Sequence, residues 1–313
     1  MLQYIMNVLS VVIPILNEEE SILKLYQELI SVLKNLQDYE IIFADDGSTD
    51  SSLKKLQELA SKDTNVIVFS FRRNLGKSEA LTLGFQKAKG EYIATLDADL
   101  QDQPQDIPKL LEKLEKGWDV VCGWRKNRKD PVKKVISSKI FNASARIFWG
   151  LRLHDYNCGL KVYRSEAAKS LNLYGGLHRF IPLLLHQQAY RVTEEPVLHS
   201  KRQFGKSKYG FSKLWKDLPD IFTMLFLSHY GDRPLHFFGV IGGFLFFVGS
   251  VILLYLAMIK LGGQGIGNRP ILFLGMLLVL TGLQVLFTGF LADLLINLLS
   301  RKEKKFDLKY FSE

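Results

Sequence analysis

The sequence predicts an α/β chain in two parts: a mostly parallel sheet wrapped by helices, then a pair of membrane-crossing helices. Three observations carry this reading. Short apolar runs alternate with amphipathic segments up to about Val121, the pattern of strand–helix units that pair in parallel. From Leu235 to Ser300 only Lys260, Arg269 and Asp293 carry formal charge. The 313 residues hold 41 Lys and Arg against 32 Asp and Glu, a net +9, and these charges are unevenly laid out along the chain. A composition of 47% hydrophobic and 23% charged residues excludes a disordered tail or a collagen.

The elements follow in order. Residues 8–15 form a buried first strand. They are not a signal peptide, because a basic flank and a small-residue cleavage site are missing and Pro14 interrupts the run. A helix over 18–36 places Ile22, Leu25, Leu29, Leu33 and Leu36 on one face. Further strands are expected at 40–44, 66–69, 92–96 and 120–121, with helices near 51–61, 78–89 and 104–116 between them. In such sheets ligands bind beyond the carboxyl ends of the strands.

Segments 131–149 and 207–230 mix Lys with Ile, Phe, Trp and Leu at helical spacing. They read as amphipathic helices at a membrane surface, with packing onto the soluble domain as the competing explanation for both. The runs 235–259 and 271–295 are long enough to cross a bilayer, which needs ~20 apolar residues. Lys201, Arg202, Lys206, Lys208, Lys213 and Lys216 precede this hairpin, and Arg301, Lys302, Lys304 and Lys305 follow it. Both flanks are therefore expected in the cytoplasm, at the plasma membrane of the cell. The expected division is a catalytic domain at 1–206, a juxtamembrane helix at 207–233, two spans within 234–300 and a basic tail at 301–313. Cys122 and Cys158, the two cysteines, provide neither a disulfide framework nor a four-ligand zinc site.

Acidic residues gather where the predicted strands end: Asn17-Glu18-Glu19, Asp45-Asp46-Gly47-Ser48-Thr49-Asp50, and Asp97-Ala98-Asp99-Leu100-Gln101. In a chain of net charge +9, such carboxylates either hold a divalent cation or receive ribose and base hydrogen bonds. Capping of the next helix accounts for Ser48 and Asp50 but not for Asp97 and Asp99. Gly76-Lys77-Ser78 is not a phosphate-binding P-loop, since the first glycine of that motif would fall at Phe71. None of the six histidines shows metal-ligand spacing.

Together with Val11-Val12-Ile13-Pro14-Ile15-Leu16-Asn17-Glu18, Arg73-Asn74-Leu75-Gly76-Lys77, Asp155-Tyr156-Asn157-Cys158-Gly159 and Arg202-Gln203-Phe204-Gly205-Lys206-Ser207-Lys208-Tyr209, these runs, with Asp97–Gln101 continued by Asp102-Gln103-Pro104, resemble the family-two glycosyltransferases. The resemblance is to the branch related to dolichyl-phosphate mannose synthase, with the hairpin similar to bacterial members that glucosylate undecaprenyl phosphate, the stronger match, and to related enzymes that transfer modified aminoarabinose to the same lipid. It implies a Rossmann-like nucleotide-diphospho-sugar transferase (GT-A) domain, a UDP-sugar donor and a polyprenyl phosphate acceptor. Glucose is the preferred sugar by resemblance, with mannose, N-acetylhexosamine or an aminoarabinose derivative as alternatives, and a tetramer is the implied assembly.

The same resemblance gives Pro14, Leu16, Glu18, Asp45, Asp46, Lys77, Asp97, Ala98 and Asp99 to the nucleotide sugar. It gives Asp97, Asp99 and Gln101 to a cation, Mg2+ or Mn2+. Asp99, Asp155 and Arg125 are the expected catalytic residues, Asp155 as either a base or a positioning group. Arg125, Lys139, Arg202 and Lys208 are expected at the acceptor phosphate, where Arg is suited to bidentate contact; attraction to anionic headgroups equally accounts for Lys139 and Lys208. A processive polysaccharide synthase is disfavoured, because Gln188-Ala189-Tyr190-Arg191 is followed by Val192 where that class carries Trp. A non-catalytic membrane scaffold is disfavoured by the intact Asp97, Asp99 and Arg202. Nucleic acid is excluded as a partner by the lack of a recognition motif beside the basic residues.

Overall fold

The computed structural model describes residues 9–35, 38–126, 150–200, 226, 230–231, 233–267 and 269–300. Outside these lie segment 131–149, all of 207–230 but Phe226 and Tyr230, the 301–313 tail, and Lys139, Arg202 and Lys208. The chain divides into two units, Met1–Asp220 and Ile221–Glu313.

The first unit is built on a seven-stranded sheet. Its strands are β1 (Leu9–Ile15), β2 (Tyr39–Asp45), β3 (Val66–Ser70), β4 (Tyr92–Thr95), β5 (Val120–Trp124), β6 (Lys161–Arg164) and β7 (Val192–Pro196), in the spatial order β3-β2-β1-β4-β6-β5-β7. All neighbours pair in parallel except β6, which runs antiparallel to both β4 and β5. The apolar runs of β1 and β2 are buried on both faces, as central parallel strands require.

Helices α1 (Ile22–Leu33), α2 (Ser52–Ala60), α3 (Lys77–Lys87), α4 (Ile107–Glu115), α5 (Ser165–Lys169) and α6 (Ile181–Gln187) flank the sheet. On α1 the residues Ile22, Leu25, Leu29 and Leu33 are buried at helical spacing. This helix starts later than its periodicity predicts, at Ile22, and the N–H groups of Glu18 and Glu19 bond to the Ser52 Oγ and the Asp50 carboxylate. Strand β5 extends to Trp124, past the predicted Val121, by pairing with β7. Strand β4 stops one residue short of prediction, at Thr95.

In the second unit, α7 (Pro234–Leu261) and α8 (Pro270–Ser300) are both long and apolar enough to cross a membrane. Twenty-eight residues of α7 span roughly 42 Å at the helical rise, more than a ~30 Å hydrocarbon core. The two helices meet through glycine. A Cβ on Gly242 would lie 2.7 Å from the Gly282 carbonyl oxygen, and one on Gly249 would lie 2.9 Å from that of Gly275. A Cβ on Gly282 would lie 2.5 Å from the Phe246 backbone nitrogen. Backbone thus touches backbone, the packing that small residues permit where lipid gives helices no hydrophobic reason to associate. Outward-facing Phe244, Phe247, Leu254, Leu277, Leu280 and Phe287 are exposed among the described residues.

Replacing Gly282 by Val is expected to force α7 and α8 apart and to lower stability by about 1–3 kcal/mol. Gly243→Val, at a glycine whose added Cβ meets no atom within 4 Å, is the neutral control. Thermal unfolding of the two variants in detergent measures the difference.

Candidate active site

Parallel register brings the ends of four strands, β1 to β4, to one edge, since Ile15 lies opposite Asp45, Asp45 opposite Ser70, and Val12 opposite Thr95. Pro14, Leu16 and Glu18 are half-buried along the β1 end. Asn17, at φ 51°, turns the chain there. Its side-chain oxygen accepts the Thr49 N–H at 2.8 Å, and its own N–H donates to the Ser48 Oγ at 2.9 Å. Ser48, expected as a helix cap, therefore ties the β1 and β2 loops together, whereas Asp50 does accept the Ser52 N–H in the first turn of α2 at 2.9 Å.

Asp45 is buried and accepts the Ser48 N–H at 3.2 Å and the Ser70 hydroxyl at 2.6 Å. Asp46, also buried, accepts the N–H groups of Leu75 at 2.7 Å and Gly76 at 3.0 Å. That carboxylate fixes the loop leading into α3, and so the position of Lys77.

Lys77 reaches across to Asp97 beyond the β4 end, Nζ to Oδ1 at 2.5 Å. Burial works against ionisation of Asp97, but the charge and hydrogen bond of Lys77 outweigh it and hold the carboxyl below its usual range. Ala98 is buried, and Leu100, at φ 58°, bends the chain. Half-buried Asp99 accepts the Gln101 N–H at 3.2 Å. Gln101 is held to Ser200, accepting its N–H at 2.8 Å and turning its side-chain amide to the Ser200 carbonyl at 3.5 Å. Asp97 and Asp99 with an amide oxygen are a hard-donor set that suits Mg2+ or Mn2+ with its other positions on diphosphate and water. Among the described residues no three His, Cys, Asp or Glu side chains converge as a closed metal site.

The loop before β6 completes the edge. Arg125, just past β5, grips Asp155 with two hydrogen bonds, Nε to Oδ2 at 2.7 Å and Nη2 to Oδ1 at 3.0 Å. Both side chains are buried, at 8% and 3% exposure. Burial disfavours the guanidinium charge, but the Asp155 hydrogen bonds and charge more than reverse that and raise its pKa. Gly159 has no room for a side chain: a Cβ there would lie 2.6 Å from Asp97 Cγ and 2.9 Å from an Asp102 oxygen.

Sequence reasoning missed three groups at this edge. Asp102 is buried and accepts the Leu160 N–H at 3.1 Å; burial pushes its carboxyl up, and Arg125 and Lys161 oppose that. Buried Lys161 donates to the Cys158 carbonyl. His178 meets Ser78 in the first turn of α3, although the two are 100 residues apart in sequence. No local motif reports such long-range contacts. Of the expected acceptor residues, the described part of the chain brings Arg125 to this edge.

The sequence profile described as "Glycosyl transferase family 2" matches residues 10–171. The dodecaprenyl-phosphate galacturonate synthase of Rhizobium johnstonii is 38% identical over 92% of this chain and 87% of its own length. An undecaprenyl-phosphate 4-deoxy-4-formamido-L-arabinose transferase of Proteus mirabilis is 36% identical over 92% of this chain and 88% of its own. The fold is that of the crystal structure of Mycobacterium tuberculosis glucosyl-3-phosphoglycerate synthase in complex with Mn2+ and UDP-glucose. That likeness has a TM-score of 0.52 at 23% identity and covers 71% of this chain and 79% of that one.

Arg125→Met takes the cation from the buried Asp155 carboxylate, which keeps the Asn157 N–H, and is expected to cost about 3–5 kcal/mol. The double variant with Asp155→Leu removes both charges and is expected to regain most of that loss. Urea unfolding of the full chain in detergent compares the two.

Proposed function

Since the chain belongs to glycosyl transferase family 2, we propose that it moves a sugar from a UDP-sugar to a polyprenyl phosphate and yields a β-linked polyprenyl-phosphate sugar and UDP. The observation that carries the proposal is the alternation of acids and cations at one sheet edge: Asp45 and Asp46, then Lys77 with Asp97, then Arg125 with Asp155. Such an edge suits two phosphorylated ligands of different kinds. Relatives named for polyprenyl-phosphate chemistry along nine-tenths of the chain support the acceptor. The apolar pair α7 and α8 supports a lipid substrate taken at the membrane, with the catalytic unit on the cytoplasmic side.

In this reading Pro14, Leu16, Glu18 and Asp45 line the base and ribose pocket, and Asp46 holds the loop that delivers Lys77. A divalent cation held by Asp97, Asp99 and Gln101 supplies neutralisation of diphosphate charge when bound. Arg125, with Lys139, Arg202 and Lys208, receives the acceptor phosphate.

A phosphate monoester has a second pKa near ~6 and already presents an anionic oxygen at neutral pH. That oxygen attacks the anomeric carbon, the new O–C bond forms as the bond to the diphosphate oxygen breaks, and both electrons of that bond leave with UDP. No proton has to be removed. Asp155 is accordingly a positioning group, its carboxylate occupied in orienting Arg125, rather than a base. In-line attack inverts an α donor to a β product.

The donor sugar is one of three candidates. Glucose is preferred from motif resemblance, and galacturonate and 4-deoxy-4-formamido-L-arabinose are the sugars named by the relatives. Purified protein given undecaprenyl phosphate, Mg2+ or Mn2+ and the corresponding UDP-sugars is expected to form lipid-linked sugar with one donor. Activity is expected to vanish with chelator and to fall at least a hundredfold in Asp99→Ala. Failure with every donor, an α product by NMR, or full activity in the variant would overturn the proposal.

A further inference from the structure

Ser78 is the second residue of α3, directly after Lys77. Its hydroxyl is buried and meets three groups. It lies 2.7 Å from the Gly175 carbonyl oxygen, 3.1 Å from the His178 backbone nitrogen and 3.0 Å from the His178 ring Nδ1. A serine hydroxyl has one proton and two lone pairs. A carbonyl oxygen can only accept, so that proton goes to Gly175. The lone pairs then receive the His178 backbone N–H and a proton on Nδ1. Ser78 therefore fixes the ring as the Nδ1–H tautomer, with the lone pair on Nε2.

The ring is neutral as well. Burial, with Lys77 and Arg179 next in effect, lowers its pKa from 6.5 to about 3. His178 and Asp97 each act on the other's ionisation, so the imidazole held by Ser78 stands within electrostatic reach of the Lys77–Asp97 pair. Gly175 is anchored independently, its N–H donating to Glu79 at 3.2 Å, so the 175–178 turn is held from two residues of the same helix. The chain has thus built a rigid, uncharged hydrogen-bond acceptor beside the cation that meets Asp97.

We propose that His178 Nε2 accepts a hydrogen bond from a hydroxyl of the donor sugar and so contributes to the choice of sugar. The proposal rests on the reading of this edge as a nucleotide-sugar site. A hydroxyl is the matching partner because a neutral acceptor neither attracts the diphosphate nor repels the sugar, and Lys77 and Asp97 already serve charge. A hydroxyl donor orphaned in a desolvated pocket is costly, which lets a single acceptor discriminate between sugars.

The test separates tether from acceptor. His178→Asn retains an amide N–H near the Nδ1 position for Ser78 but has no atom at Nε2. His178→Gln reaches the Nε2 position and supplies an oxygen there. Calorimetric titration of the full chain in detergent with Mn2+ compares UDP alone with UDP-glucose and UDP-galacturonate. For wild type, the sugar is expected to alter affinity relative to UDP.

In His178→Asn, the tighter UDP-sugar is expected to weaken roughly tenfold while UDP is unchanged, with the loss restored at least in part by His178→Gln. An unchanged ratio of UDP-sugar to UDP affinity in His178→Asn overturns the inference, as does an equal loss for UDP. These readouts need no acceptor, so they stand apart from the transfer assay. Absence of any UDP binding by wild type would instead defeat the nucleotide-sugar reading itself.

Discussion

Charge balance at the carboxyl edge of the sheet is the constraint on which the rest of the catalytic unit depends. Asp97, Asp102 and Asp155 stand against Lys77, Arg125 and Lys161 around the Asp155–Gly159 loop. Taken out of water singly, any of these charges would cost several kcal/mol. Asp102, Asp155, Arg125 and Lys161 can be buried, and Lys77 and Asp97 partly so, because each acid has a cation or backbone N–H in reach. The loop itself can enter only because Gly159 brings no side chain between two carboxylates. Strand β6, which follows this loop, is the one strand that reverses direction, and the reversal lets the loop approach β4 from the side where Asp97 stands.

This balance also accounts for the chemistry. Under the proposed reaction, a site that accepts a diphosphate and a second phosphate cannot be uniformly acidic or uniformly basic. Separate pairs, Lys77 with Asp97 and Arg125 with Asp155, give it two addresses of different character. The pair at Arg125 is buried and bidentate, which suits a fixed orienting role. The pair at Lys77 is about one-third exposed on both sides and open to exchange with an incoming ligand.

How much of this was legible in the sequence follows from locality. Strands β1, β2 and β4 were readable because central parallel strands are continuous apolar runs, and the acids at their ends stood out against them. Strand β7, Val-Thr-Glu-Glu-Pro at the sheet edge, and the short β6, which carries Lys161 and Arg164, have no such signature and were missed. The helix pair was readable from length and sparse charge. Within this chain α7 approaches α8 through Gly242 and Gly249 and not through the adjacent Gly243, a distinction that composition does not carry. Arg125 and Asp155 were each singled out, yet their embrace across 30 residues was not, nor was the union of Ser78 and His178 across 100. Side-chain partners brought together by sheet topology leave no mark in local spacing. The roles expected of Lys139, Arg202 and Lys208 lie outside the described residues.

Asp46 gives the edge a mechanical property. Adjacent carboxylates at the end of β2 divide their attention: Asp45, its last residue, looks toward Ser48 and Ser70, and Asp46, just past it, holds the amides of Leu75 and Gly76, immediately before the helix that carries Lys77 and Ser78. The end of β2 and the start of α3 are therefore joined by one rigid carboxylate. A ligand that shifts Asp45 by a fraction of an ångström also drags the helix start, and with it Lys77 and the turn bearing His178. If the nucleotide sugar lies as proposed, occupancy at its Asp45 end is felt at its Lys77 end through a crank of a few bonds.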